Sequence, residues 1–226
     1  MGELIPSKGE IMKNLFLSVM AAAFAFAIST ASARADAIGP ALDPVDWTGP
    51  YMGITAGYGW GQSKHTDTFG TTTGDFDLHG GAIGLEGGYN WQFDSIVVGL
   101  EADGSLTNID GTTTNLCKGG CTTKLRWLTT LRAKVGYPMG KFMPYVTGGM
   151  ALGGVKATVS GTTSNEDTKF GWTAGGGLAY GFTTGFSAKV EYLYTDLDDV
   201  TVPTPAPVTA KANNFQLVRI GVDFAF

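Results

Sequence analysis

Charge is what this sequence has least of. Asp, Glu, Lys and Arg make up 15% of 226 residues, against roughly 25% in an average globular chain. So little charge does not suit an ordinary water-facing surface. The formal net charge is −5, which argues against nucleic acid as a partner, because a phosphate backbone is held by clustered Lys and Arg. Only two histidines and two cysteines are present. His65 and His79 lie near one loop and Cys117 and Cys121 in another, so no soft-ligand zinc set forms and no metal is expected. The motifs H-E-x-x-H, G-x-S-x-G, Walker A and G-x-G-x-x-G are missing despite 34 glycines, so no enzyme and no cofactor are implied. The glycines follow no G-X-Y period, which excludes collagen. Thirteen Phe, eight Tyr and five Trp exclude a wholly disordered chain.

The N-terminus reads as an address. Lys13 precedes an apolar run from Leu15 to Ile28 that only Ser18 interrupts. Ala31-Ser32-Ala33 and Ala33-Arg34-Ala35 then offer overlapping small-x-small cleavage sites. The run is too short for a spanning helix, which needs about 20 residues. Residues 1–35 are therefore expected to be a cleaved signal peptide, with cleavage after Ala35. Residues 1–11 read as an extension from an upstream start, because Met12-Lys13-Asn14 is the more natural beginning. Residues 36–226 are the mature domain. They hold no run of 18 apolar residues, so any membrane crossing must be made by strands.

Strands are what the rest of the sequence spells. Successive side chains of a strand point to opposite faces, so period-2 alternation marks one. Met52, Ile54, Ala56, Tyr58 and Trp60 alternate with Gly53, Thr55, Gly57 and Gly59. Seven further segments behave likewise, near 80–93, 96–107, 125–137, 142–155, 169–182, 186–195 and 215–226. In each, one face is apolar and rich in aromatics, as suits lipid. The other is mostly Gly, Ser and Thr with a few charges, as suits a narrow interior. Each segment is about as long as a tilted strand needs to cross a bilayer. Connections near 94–95, 138–141 and 183–185 are tight, whereas 61–79, 108–124, 156–168 and 196–213 read as long loops. Short turns on one side and long loops on the other mark an outer-membrane barrel. The fold expected is all-β, an eight-stranded antiparallel up-and-down transmembrane β-barrel. Closure satisfies every backbone group in lipid, where an open edge would not. Aromatics beside the short turns (Trp91, Phe93, Tyr137, Phe142, Tyr180, Phe182, Phe186, Phe224) and beside the long loops (Tyr58, Trp60, Trp127, Phe170, Trp172, Tyr192, Tyr194) predict two interfacial girdles.

The inward faces carry Glu86, Glu101, Asp103, Glu191 and Asp223 against Arg126, Arg132, Lys134, Lys189 and Arg219. An eight-stranded interior is just wide enough to be filled by side chains, so these charges are expected to pair and plug the barrel rather than line a conducting lumen. Glu101 and Arg132 are expected at similar depth on neighbouring strands. Cys117 and Cys121 flank Lys118-Gly119-Gly120, and export through an oxidising compartment predicts a disulfide between them. Ser63, His65 and Asp75 could be grouped as a loop triad of the kind lipid-modifying barrels use. The match is loose, and solvated loop residues are the simpler reading.

Several stretches resemble one family. Asp46-Trp47-Thr48-Gly49-Pro50-Tyr51-Met52-Gly53, running into Gly57-Tyr58-Gly59-Trp60-Gly61, is similar to the opening strand of small alpha-proteobacterial outer-membrane β-barrel proteins, the immunogenic, opacity-like surface proteins. Pro144-Tyr145-Val146-Thr147-Gly148-Gly149 resembles their fifth strand and Lys189 to Asp196 their seventh. Val218-Arg219-Ile220-Gly221-Val222 with Phe226 resembles their last. The resemblance implies a barrel in a Gram-negative outer membrane, with Phe226 as the insertion signal read by the barrel-insertion machinery. Outer-membrane lipid and lipopolysaccharide would surround it. The function expected is a structural barrel and surface antigen supporting envelope integrity. The rivals are loop-mediated binding of host molecules or small ligands such as haem, and a narrow porin-like diffusion channel.

Overall fold

The computed structural model describes residues 45–66, 71–115, 120–159, 163–183, 185–198, 200–202 and 208–226. The expected signal segment and Cys117 lie outside the described residues. Nine strands follow in chain order: β1 Gly49–Thr66, β2 Phe76–Phe93, β3 Ile96–Thr113, β4 Cys121–Gly136, β5 Phe142–Val159, β6 Thr163–Thr183, β7 Phe186–Leu197, β8 Val200–Val202 and β9 Val208–Ala225. Each barrel strand pairs antiparallel with the next, and β1 pairs with β9 from Tyr51↔Ala225 to Thr66↔Thr209. That last ladder closes an eight-stranded barrel. The three-residue β8 only extends the β9 ladder at the long-loop end.

All four expected long loops are more than half strand. Most strands run 16 to 21 residues, roughly twice what crosses a bilayer. The β3–β4 ladder continues to Thr113↔Cys121 and the β5–β6 ladder to Val159↔Thr163. The apolar alternation stops where lipid stops, but backbone pairing does not, and Thr-rich polar stretches still favour the pleated chain. At the other end the turns are short. Asp94 takes a left-handed φ of 54° in the β2–β3 turn, and Gly140 takes 64° between β4 and β5.

Large apolar side chains cover the outer wall: Ile54, Ile83, Leu106, Val146 and Ile220 are each more than 60% exposed. Such a surface is intelligible only against lipid. At the short-turn end, Phe142, Tyr180, Phe182, Phe186 and Phe224 form an unbroken chain of ring contacts, with centroids 4.9 to 5.3 Å apart. A continuous belt of this kind sits where ring faces meet hydrocarbon and polar edges meet headgroups.

Candidate functional site: a layered barrel interior

The side chains that point inward form layers. Nearest the short turns, residues 45–48 fold across the barrel mouth. Thr48 N donates to Asp46 Oδ1 at 2.9 Å, Trp47 N donates to Gln92 Oε1 at 3.0 Å, and Gln92 N donates to Thr48 Oγ1 at 3.2 Å. These bonds seat the Trp47 ring against Val97, Met143, Tyr145 and Ala179. The cavity behind it measures only about 30 Å³.

Above this strap lies a belt of charge. Arg132 meets Glu101, directly opposite it in the β3–β4 ladder, together with Asp103 at 3.2 Å and Glu191 at 3.1 Å. Arg219 reaches Glu191 at 2.6 Å and Asp103 at 3.0 Å. Lys189 meets Glu86 at 2.8 Å and Glu101 at 2.9 Å, with Asp223 at 3.9 Å. Lys134 meets Glu101 at 3.3 Å. Several of these pairs join opposite walls, Arg132 on β4 to Glu191 on β7 and Arg219 on β9 to Asp103 on β3. Most of the side chains are at most 2% exposed. Stripped of water, each charge depends on its partners, because an unpaired one would carry a desolvation cost of several kcal/mol.

Arg126 is the exception among the ten expected interior charges. It is exposed, on the outside of the barrel. The β4–β5 register slips between Leu125 and Trp127. This bulge puts Leu125 and Leu128 inside and turns Arg126 out. Strict alternation could not foresee a bulge, which reverses the face of every residue beyond it. The belt therefore holds five carboxylates and four cations.

Two tyrosines complete it. Tyr51 Oη donates to Glu101 Oε2 at 2.5 Å and accepts from Lys134 Nζ at 2.8 Å; Tyr145 Oη donates to Glu191 Oε1 at 3.1 Å. Each ring lies over a glycine of the next strand. A Cβ on Gly88 would stand 2.7 Å from Tyr51 Oη, and one on Gly177 would stand 2.7 Å from Tyr145 Oη. The signal was present in the sequence as a repeated Pro-Tyr step, Pro50-Tyr51 and Pro144-Tyr145. Composition alone does not say that both rings point inward.

A ring of hydroxyls follows (Thr55, Ser105, Thr130, Thr147, Thr173 and Thr195), all buried. Thr130 Oγ1 bonds to Asp103, and Thr195 Oγ1 donates to Thr173 Oγ1 at 3.0 Å. Beyond that ring the interior turns apolar. Leu78, Ile109, Leu125, Leu128, Val155, Leu197 and Phe215 pack into one cluster across the upper barrel.

Ser63 and His65 sit above this cluster. They are not the solvated loop residues expected but buried members of β1. Thr123 Oγ1 joins them, 3.0 Å from Ser63 Oγ and 2.9 Å from His65 Nε2. Burial pushes the His65 imidazole below its ordinary pKa, since a protonated ring would lose its hydration there. Asp75 is elsewhere, in a half-exposed pair with Lys64 at 3.7 Å. The three residues do not assemble into a triad. Cys121 is buried at the first position of β4. Phe226 is exposed, and its N–H donates to Pro50 O at 3.0 Å beside the barrel seam.

Residues 18–226 match the outer membrane protein beta-barrel domain family. The chain is 34% identical to the 31 kDa outer-membrane immunogenic protein of Brucella melitensis biotype 1 over 95% of its own length and all of that protein. It is 35% identical to the 25 kDa outer-membrane immunogenic protein of Brucella ovis, with the same coverage. Among solved structures, the outer membrane protein OprG from Pseudomonas aeruginosa superposes with a TM-score of 0.53 at 15% identity, covering 80% of this chain and 99% of that one. That likeness concerns the fold alone.

Proposed function

The chain belongs to the outer membrane protein beta-barrel family and resides in the outer membrane, and from that premise we propose that it is a structural barrel and surface antigen with a closed interior. The relatives named as outer-membrane immunogenic proteins support the antigen reading. One observation carries the closed interior: ion pairs join opposite walls at side chains that are 0 to 2% exposed. The Trp47 strap below and the apolar cluster above add to it. The role is mechanical rather than enzymatic. The barrel supports the envelope through its lipid-facing wall, surrounded by lipid and lipopolysaccharide, and enters the membrane through a C-terminal strand ending in Phe226. Its interior pairs hold the wall rigid from within.

Planar-bilayer recording tests this directly. The purified protein should show no discrete conductance steps; reproducible steps in the unmodified protein would replace the plug with a pore. A strain lacking the protein should become more sensitive to detergent. Two finer features belong to the same reading. N-terminal sequencing of protein from the envelope should begin at Asp36. Non-reducing mass spectrometry should find Cys117 bridged to Cys121, as passage through an oxidising compartment implies.

A further inference from the structure

The outer wall carries a pocket that the closed-lumen reading does not use. It measures about 480 Å³ and is lined by Trp60, Gln62, Asp77, His79, Asn214 and Gln216, with the backbone near Gly61 and Leu78. The ladders explain the grouping. Trp60 pairs with His79 on one side and Gln216 on the other, so the three stand in one row across β2, β1 and β9. Gln62 pairs with Asp77 in the row above, and Gln62 Nε2 lies 3.4 Å from Asp77 Oδ1. The β1–β9 register slips between Gly61 and Gln62, so Asn214 is the extra residue, at φ 44°. A bulge bends the strand locally and re-aims its side chains. Asn is one of the few residues that take a left-handed φ readily, which suits it to the bulge.

The pocket also has a definite height. Trp60 is nine residues beyond Tyr51. At about 3.3 Å per residue and a tilt near 40°, that is roughly 23 Å, close to the ~25 Å apolar band of such barrels. All three strands change character there. Met52 to Trp60, Ile83 to Phe93 and Val218 to Phe224 face lipid with apolar or aromatic groups, whereas Gln62, His79, Asp77, Gln216 and Asn214 are polar. The pocket therefore opens at the headgroup level of the leaflet on the long-loop side.

We propose that this pocket binds the neutral sugar of an outer-leaflet glycolipid. Two amide side chains on β1 and β9, a third at the bulge, one carboxylate and one imidazole supply both donors and acceptors, as a hydroxyl-rich ring requires. The Trp60 indole offers an apolar face for the C–H side of that ring and a polar edge besides. Among the described residues the lining contains no Lys or Arg, the nearby Lys64 is paired with Asp75 at 3.7 Å, and Asp77 would repel a phosphate, so the pocket suits a neutral sugar better than the charged part of a headgroup. Tyr192 Oη donates to Gln216 Oε1 at 3.0 Å. That bond uses the amide oxygen, so the NH₂ group remains the donor that the amide can offer a sugar hydroxyl. The acyl chains of the same lipid would lie down the apolar wall beneath. The proposal rests on the barrel standing with its long-loop end outward, not on the lumen being closed, so the conductance result does not bear on it.

The test is native mass spectrometry of the mature barrel released from detergent, titrated with lipopolysaccharide and, separately, with the water-soluble oligosaccharide freed from it. The unmodified protein should retain one glycolipid. Asp77→Ala/His79→Ala/Gln216→Ala should weaken retention roughly tenfold or more, as the loss of several net hydrogen bonds implies. Heat-modifiable gel migration establishes that the variant is folded; should it fail to fold, Asp77→Asn alone decides, with a several-fold loss expected. Equal retention by variant and parent would overturn the site. Binding of the free oligosaccharide as tightly as the glycolipid would overturn the lipid-anchored assignment.

Discussion

The lower and upper halves of the barrel interior solve one packing problem with opposite chemistry. Near the short turns, Arg132, Arg219, Lys134 and Lys189 interlock with five carboxylates and two tyrosines. Toward the long loops, Leu78, Leu125, Val155 and Phe215 fill the same cross-section with hydrocarbon. The lower half is a network in which each group stabilises only because its partners are present. The upper half is a sum of separate burials. The lower half should therefore fail through broken pairings and the upper half through cavities, and the two failures obey different arithmetic.

The largest effect should come from breaking the belt on one side. Arg132→Ala leaves Glu101, Asp103 and Glu191 short of a cation and should cost about 3–5 kcal/mol, the range for breaking a buried pair. Urea unfolding in lipid vesicles would measure it. Glu101→Gln combined with Arg132→Met should cost less than the sum of the singles. Additive losses would mean that the belt is not a network.

Leu125→Ala in the upper half should cost about 2–5 kcal/mol through its cavity. It should add to Arg132→Ala within roughly 0.5 kcal/mol, because the two sites share no partner. Strong coupling between them would merge the two halves into one.

Gly177→Ala sharpens the lower half further. The new methyl group meets Tyr145 Oη and the Val190 carbonyl, and overpacking of this kind costs about 1–3 kcal/mol. Tyr145→Phe in the same background should recover part of the loss, whereas Tyr51→Phe should not. Unfolding midpoints of the four proteins would show whether the contact is local.

The smallest effect is one of pH, above the apolar cluster. His65 has a lowered pKa in the folded barrel, so the unfolded chain binds its proton more readily. Its contribution to stability is complete above the ordinary value of about 6.5 and is lost as pH falls below it. Hydrogen exchange of the β1–β2 hairpin should quicken between pH 7.5 and 5.5, and His65→Asn should flatten that dependence. An unchanged profile would show that His65 does not tie the hairpin down.

Much of this architecture was legible in the sequence because lipid imposes a simple rule. An outward residue must be apolar, so Met52-Ile54-Ala56-Tyr58-Trp60 and its seven counterparts reveal strands, number and face together. The same rule made Glu101 and Arg132 readable as inward residues at one depth. It fails above the membrane, where water accepts either kind of side chain. The extensions beyond Trp60, Leu106 and Val155 therefore read as loops although their backbones are paired. It also fails at Arg126, where a bulge in β4 turns the side chain outward.

What the sequence determined by itself is thus the barrel, its strand number and the inward placement of nine charges, all consequences of one chain alternating between two solvents. What only the tertiary structure decided is which of those charges meet. Glu191 finds Arg132 and Asp103 finds Arg219 across the lumen, Trp47 closes the mouth, and Leu78 packs on Phe215. The reason is geometric. Alternation specifies a face, but contacts across a barrel depend on closure and register around the whole wall, and every strand and bulge contributes to those.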